Sequence, residues 1–242
     1  MATLSVLALP GPAPGRVRGA AIAIGLVVVV LAIGIIVLGD SKAGPGVAST
    51  TAPPTAASPL PSAPTFAPIT LTGSGSKLAT FTIPASSAGL AVVRYSGQDT
   101  FVVRGLAADG SSTGGLINAI GPYSGTRLFD IDDQQTAAFQ VQASGPWTIT
   151  VEPPASARIW TGASAVSGTG DDVVQLSPAS SALANATFTY SGQGGFTVDG
   201  FSPSGDDGLV STIGLFHAQI PLPDGTFLIE IQAAGTWSIT LD

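Results

Sequence analysis

The chain has 242 residues, of which only 10% are charged, while 31 are glycine and 19 are proline. This composition is rich in turns and poor in the residues that fill solvated helices, so it favours strands. The net charge of −7 disfavours contact with a phosphate backbone, which requires Lys and Arg clusters, so nucleic acid is not expected as a partner. The absence of cysteine excludes disulfides, thiolate metal sites and a cysteine nucleophile.

A membrane anchor is predicted near the N-terminus. Residues 19–39 read GAAIAIGLVVVVLAIGIIVLG and carry no charge. As a helix this segment would span roughly 31 Å at about 1.5 Å per residue, enough for a hydrocarbon core. Arg16 and Arg18 precede the segment and only Lys42 follows closely, so the positive-inside rule places residues 1–18 in the cytoplasm. The rest of the chain is then expected outside the cytoplasm.

A cleaved signal peptide is the alternative interpretation of the same segment. Ser41 and Ala43 would supply the small residues that precede a cleavage point. The apolar run is longer than the hydrophobic region usual for a signal peptide, and Asp40 crowds the site. We therefore expect an uncleaved single-pass anchor.

A proline-rich linker is predicted at residues 40–68. It includes the stretch STTAPPTAASPLPSAPT, which has almost no large apolar side chains. Such a stretch cannot bury a core, and its prolines favour a semi-extended chain. Its Ser and Thr beside Pro also suit O-glycosylation.

Two copies of one sequence pattern follow the linker. The run Tyr95-Ser96-Gly97-Gln98 recurs as Tyr190-Ser191-Gly192-Gln193, and Gly145-Pro146-Trp147 recurs as Gly235-Thr236-Trp237. The offset between copies falls from 95 to 90 residues along the repeat, as expected when loops shorten while strands keep their register. The pattern indicates an internal duplication.

Each copy has the alternation of a β-strand. Trp147, Ile149 and Val151 fall on one face of a strand, with threonines on the other. In the same way Phe227, Ile229 and Ile231 fall on one face, and the other face carries Thr226, Leu228 and Glu230. About seven such runs occur in each copy, separated by Gly, Pro, Asp and Ser. The prediction is an all-β protein with two tandem β-sandwich domains, jelly-roll or immunoglobulin-like, at residues 69–154 and 155–242.

The motifs of the two copies resemble those of a known group of proteins. The opening of the second copy at residues 167–173, the Tyr-Ser-Gly motif and the closing Gly-x-Trp-x-Ile pattern are similar to tandem all-β repeats in membrane-anchored surface proteins of high-GC Gram-positive bacteria (actinobacteria). They are also loosely similar to jelly-roll domains appended to secreted bacterial peptidases. The resemblance covers residues 71–153 and 165–242 and implies fold and location. It carries over no catalytic residue.

Catalytic chemistry has little support in the sequence. His217 is the sole histidine, and the first copy has no equivalent, so a Ser-His-Asp site would have to use this one side chain. We therefore expect no enzymatic activity and no organic cofactor. Trp147 and Trp237 could stack on sugars, but their place on an alternating apolar face predicts core residues.

Calcium is the more plausible ligand chemistry, because the ion prefers several carboxylate and carbonyl oxygens in loops. Aspartates cluster at three predicted turns, and none of the clusters recurs in the other copy. The alternative is that aspartate favours turns through its own hydrogen bonds to the backbone. The candidate calcium ligands are Asp130, Asp132, Asp171, Asp172, Asp206 and Asp207.

The charges of the two copies differ. Residues 71–164 carry five basic and six acidic side chains, whereas residues 165–242 carry eight acids and no Lys or Arg. At equivalent positions Lys77 corresponds to Asp172, and Arg104 to Asp199. One hypothesis is that complementary faces dock the domains, or neighbouring molecules, on each other. The alternative is surface divergence after duplication.

Trp160 lies between the two copies, where it could pack in the interdomain joint or face a ligand, and we favour the joint. The expected function is a non-enzymatic, membrane-anchored, extracytoplasmic binding or structural protein of the cell envelope, including the role of an accessory subunit of a membrane complex. Expected partners are the membrane and either a cell-wall polymer or another membrane or surface protein. The alternative is a carbohydrate-active or other hydrolase domain on the secreted side.

Overall fold

The computed structural model describes residues 65–131, 134–181 and 183–242. This part of the chain is all-β, which confirms the predicted class; its helical content is one 3-10 turn at Pro154–Ser156. No helix in it is long and apolar enough to cross a membrane. The predicted cytoplasmic tail, the predicted anchor at residues 19–39 and most of the predicted linker lie outside the described residues.

The first eight strands form two antiparallel sheets. Sheet I has the order β1-β8-β3-β6 and sheet II the order β2-β7-β4-β5. We call them together the N-terminal sheet pair. The strands are β1 (Ile69–Ser74), β2 (Lys77–Thr80), β3 (Gly89–Tyr95), β4 (Thr100–Leu106), β5 (Ser112–Ile120), β6 (Tyr123–Phe129), β7 (Ala138–Gln142) and β8 (Pro146–Glu152).

The remaining strands repeat this arrangement in the C-terminal sheet pair. Sheet III has the order β10-β17-β12-β15, and sheet IV the order β14-β13-β16-β11-β9, in which β9 is parallel to β11. The strands are β9 (Arg158–Trp160), β10 (Val166–Thr169), β11 (Asp172–Leu176), β12 (Asn185–Ser191), β13 (Gly195–Ser202), β14 (Gly205–Ile213), β15 (Phe216–Pro221), β16 (Leu228–Ala233) and β17 (Thr236–Leu241).

Each sheet pair encloses its own hydrophobic core. Alternation along the strands sends every second side chain inward, so that Val93, Phe101 and Ile149 meet in the first core, with Phe188 and Ile239 among their counterparts in the second. The first pair has eight strands and the second nine, where the sequence pattern predicted about seven in each copy.

The repeated tryptophans are core residues, as their alternation predicted. Trp147 and Trp237 are 3% and 1% exposed. Each ring covers the glycine that faces it in the neighbouring strand, Gly73 or Gly168, where a Cβ atom would collide with the indole. The indole N–H of Trp147 donates to the carbonyl of Gly75 at 3.0 Å, and Trp237 makes the equivalent bond at 2.9 Å.

Packing of the tyrosine ring explains the repeated Tyr-Ser-Gly motif. The rings of Tyr95 and Tyr190 stack on phenylalanine rings, with centroids 4.3 and 4.7 Å apart, and extend over Gly97 and Gly192. A side chain at either glycine would occupy the space of the tyrosine hydroxyl. The motif is therefore a packing unit at one end of each core.

Candidate functional site at the junction of the two sheet pairs

An apolar contact joins the two sheet pairs, which belong to one compact unit. Leu90 and Leu128 lie on the face of sheet I that points away from its own core, since their neighbours in the chain line that core. They pack against Val173 and Leu228 from the outer face of sheet IV, with Phe201 partly buried beside them. The outer face of sheet I is thus covered by the outer face of sheet IV.

The exposed edge of sheet I is closed by groups from the second sheet pair. Strand β6 is an edge strand, and its free N–H groups would be open to pairing with another chain. The N–H of Thr126 donates to the backbone carbonyl of Asp171 at 3.1 Å, and the N–H of Leu128 donates to the carboxylate of Glu230 at 2.9 Å. The junction therefore protects this edge.

A charged network lies at the same place. The guanidinium of Arg127 donates to Glu230 at 2.8 Å and to the carbonyl of Leu116 at 2.6 Å, and it approaches Asp171 to 3.6 Å. Asp171 also accepts hydrogen bonds from the hydroxyl of Tyr123 at 2.7 Å and from the N–H of Ala233 at 2.9 Å. Glu230 is only 6% exposed, so this is a nearly buried ion pair, to which the N–H of Leu128 and the carbonyl of Leu116 add hydrogen bonds.

Protonation states at the network follow from burial and charge. Burial by itself lowers the pKa of Arg127, but the charge and hydrogen bond of Glu230, together with Asp171, raise it further than burial lowers it. Burial, followed by the charge of Asp171, raises the pKa of the Tyr123 phenol well above its usual range. Arg127 therefore remains charged and Tyr123 remains a hydrogen-bond donor throughout the physiological range of pH.

An apolar groove opens beside this network. It has a volume of about 430 Å³ and is lined by residues of both sheet pairs. Leu128 and Leu228 line it at the junction, and Phe227, which is 42% exposed, stands at its open side. This size and lining are those of small-molecule sites, which form preferentially at domain interfaces.

Polar groups in the groove are few. The hydroxyl of Ser87 is buried and has no hydrogen-bond partner among the described residues. Asp206 is the one charged side chain in the lining contributed by the described residues. It also lines an adjoining recess of about 200 Å³, which Asp130 and Glu230 share. This side of the junction is therefore acidic.

Asp199 adds to the acidic character of this side. It faces Glu230 across the β13–β16 pairing, and burial, followed by the charges of Glu230 and Asp206, raises its pKa above the ordinary value. A separate recess of about 480 Å³ is lined instead by Arg104 and Arg127, together with Gln232 of the second sheet pair. The junction therefore has an acidic and a basic recess.

The candidate calcium ligands lie in separate places. Asp130 accepts two hydrogen bonds from Thr136, at 2.6 and 2.7 Å, and Asp171 belongs to the junction network. Asp206 lines the groove, while Asp207 is exposed on β14. No group of three metal-ligating side chains is found within the described ranges, and Asp132 lies outside them.

The predicted contact residues are also distributed. Asp172 pairs with Arg158 at 2.6 Å, and burial, opposed by this arginine, raises the pKa of its carboxyl. Lys77 is exposed on β2, and the ion pairs found among the described residues do not include it. Trp160 is 4% exposed within the core of the C-terminal sheet pair, where its indole N–H donates to Ser164 at 2.7 Å.

Two junction residues were not among the sequence candidates. Arg127 had no partner in the repeat comparison, and Glu230 was assigned to the polar face of its strand. A signal was present, since Glu230 interrupts the apolar run Leu228-Ile229-Glu230-Ile231. His217, by contrast, contacts the hydroxyl of Thr189 through Nδ1 at 2.9 Å on the exposed face of sheet III.

Comparisons with known proteins assign no family. No protein-family model matches the sequence, and no curated protein matches it. Among solved structures, a similarity is found to the regulatory subunit of a cAMP-independent protein kinase A from Trypanosoma brucei, at 8% identity and a TM-score of 0.19, covering 72% of this chain and 74% of that chain. A TM-score this low carries no structural or functional conclusion.

Proposed function

We propose that this chain is a non-enzymatic binding protein of the cell envelope, anchored by residues 19–39 and carrying two tandem jelly-roll β-sandwiches outside the cytoplasm. The strand order of the sheet pairs supports the jelly-roll assignment. When β9 is left out and the strands of each pair are numbered from β1 or from β10, both pairs have sheets of order 1-8-3-6 and 2-7-4-5, an arrangement of two interlocked Greek keys. The apolar segment and the preceding arginines support the anchor.

The groove at the junction carries the proposal of binding. Its walls come from both sheet pairs, and the Arg127–Glu230 pair beside it fixes the two pairs relative to each other. A preformed apolar cavity binds ligand without first ordering its own walls, which favours affinity. The carboxylates of Asp130 and Asp171 are already engaged by protein donors, and His217 faces a threonine, so these groups support a structural more than a hydrolytic role.

Single cysteines test both location and occupancy, since the chain has none of its own. Ser86→Cys places a thiol at the groove, and Ser74→Cys places one on exposed β1 as a matched control. In intact cells, a membrane-impermeant maleimide should label Ser74→Cys. The measured quantity is the labelling rate of Ser86→Cys divided by that of Ser74→Cys. This ratio should be lower in native envelopes than in purified protein, because a bound ligand shields the groove.

Two results would contradict the proposal. Labelling of Ser74→Cys only after lysis would place the sheets inside the cytoplasm. An identical ratio of the two labelling rates in envelopes and in purified protein would mean that the groove holds no envelope ligand.

A further inference from the structure

We propose that the junction groove binds an organic cation: an ammonium group attached to an apolar body, with the ammonium at Asp206. This inference rests on the proposed binding function and adds the chemical class of the ligand. It follows from the shape of the groove, from the charges around it and from one unpaired hydroxyl within it.

The apolar body is indicated by the walls. Leu128, Leu228 and the partly exposed rings of Phe201 and Phe227 leave apolar surface facing the groove. Apolar surface of this kind is stabilised when it is removed from water, by about 25 cal/mol for each Å² buried. A cavity of about 430 Å³ accommodates a small aromatic or branched aliphatic group.

The cation is indicated by the charges. Asp206 lines both the groove and the adjoining recess. Asp130 and Glu230 also line the recess, but Arg127 balances the charge of Glu230, so the carboxylate at the groove itself is that of Asp206.

No Lys or Arg among the described residues lines the groove or this acidic recess. Arg127 and Arg104 line the separate basic recess instead. In the second sheet pair, the basic residue Arg158 pairs with Asp172 instead, and residues 165–242 contain no Lys or Arg.

The Ser87 hydroxyl is an independent indication that the groove accepts a polar ligand atom. Ser87 is 2% exposed, lines the groove, and has no hydrogen-bond partner among the described residues. A buried hydroxyl without a partner costs free energy, which a donor or acceptor on a bound ligand recovers. The groove thus offers apolar walls, one carboxylate and one unpaired hydroxyl.

Three probes that differ only in their polar end test the inference: phenylbutylamine, phenylbutanol and phenylbutyrate. Each is titrated into the purified full chain and followed by NMR. The amine should bind about tenfold more tightly than the alcohol, a factor that corresponds to about 1.4 kcal/mol, and the carboxylate should bind more weakly than either. Added salt should reduce the preference for the amine, because Asp206 is exposed.

Variants locate the effect. Asp206→Asn should abolish the preference for the amine while leaving the binding of the alcohol unchanged. Asp207→Asn is the matched control, since the neighbouring carboxylate is exposed and outside the lining, and it should retain the preference. Phe227→Ala should weaken both the amine and the alcohol several-fold.

The possible failures are distinguishable. Equal binding of the amine and the alcohol would overturn the inference of a cation and leave the groove as a binding site. Binding of none of the probes would overturn the inference and the groove as a small-ligand site together. Amine binding that survives both Asp206→Asn and Phe227→Ala would place the probe elsewhere and also overturn it.

Discussion

The two sheet pairs share a strand order and a core pattern, yet their outer faces and edge strands differ. Sheet I presents Leu90, Arg127 and Leu128 to the junction. The pairing register places Asn185 and Pro221 of sheet III at the positions of Leu90 and Leu128, with Ile220 at that of Arg127. Sheet III therefore lacks the leucines and the arginine with which sheet I contacts its neighbour.

The surface of sheet IV that contacts sheet I is likewise not repeated in sheet II. Glu230 of sheet IV faces Asp199, and the equivalent pair in sheet II is Gln140 facing Arg104. A contact between two different faces could in principle be repeated from molecule to molecule, as in an open array. The outer faces of sheets II and III, which no other sheet of the described residues covers, lack the residues that make the existing contact. Divergence between two similar copies can therefore create one specific contact between them without creating a second, identical contact on their other faces.

The largest expected change in stability comes from replacing Glu230 of sheet IV by glutamine, the residue at the equivalent position 140 of sheet II. Glu230→Gln removes the charge that balances Arg127, and we expect the free energy of unfolding of the full chain to fall by about 3 kcal/mol, because a nearly buried guanidinium loses its principal partner. Urea denaturation measures the change. Gln140→Glu is the reverse control at an exposed position, with an expected change within about 0.5 kcal/mol. Similar small effects for both variants would contradict the asymmetry.

A smaller difference concerns the repeated tyrosines. The Tyr95 hydroxyl pairs with Ser144 at 2.9 Å, whereas the buried Tyr190 hydroxyl has no partner among the described residues, and Ala234 stands where the first copy has Ser144. Ser144→Ala should therefore lower the free energy of unfolding by about 1 kcal/mol, and Ala234→Ser should raise it by a similar amount. Thermal and urea unfolding check the two signs, and a loss in both variants would refute the comparison.

The smallest effect is a pH dependence at Asp199, whose counterpart is Arg104. Burial and the neighbouring acids raise the pKa of Asp199 in the folded state, so ionising it costs stability. That cost is absent below its ordinary pKa of about 3.9 and complete above the raised folded pKa. Asp199→Asn should therefore stabilise the chain at pH 7 and have little effect at pH 3.

Unfolding curves at both pH values test this expectation. Asp207→Asn, on the exposed neighbouring strand, should show no such difference. A gain from Asp199→Asn that is equally large at pH 3 would mean that its charge is not the cause.

Alternation in the sequence was sufficient to predict strands and their inward faces. It placed Trp147 and Trp237 in the cores because each strand has only two faces, and one had to be apolar. The same reasoning placed Phe227 with Ile229 on the core side, but β16 begins at Leu228 and Phe227 lies outside it at the groove. A period of two identifies a face only while the chain remains extended.

The candidate site could not be predicted in the same way. Leu228 and Glu230 were expected on the outer face of their strand, yet both are buried, Leu228 against leucines of sheet I and Glu230 beside Arg127. Which surface covers an outer face depends on residues far away in sequence, such as Leu128, and no local pattern encodes that pairing. The groove exists only where these two surfaces meet, so its lining could not be read from either copy alone.

The closure of β6 has a consequence for how the chain is made. Glu230, which caps the N–H of Leu128, lies 102 residues further along the chain. During synthesis, the N-terminal sheet pair is complete long before its cap exists, so an open strand edge and bare leucines are exposed in the interval. A nascent chain stalled after β8 should therefore be the species that chaperones retain and that aggregates first.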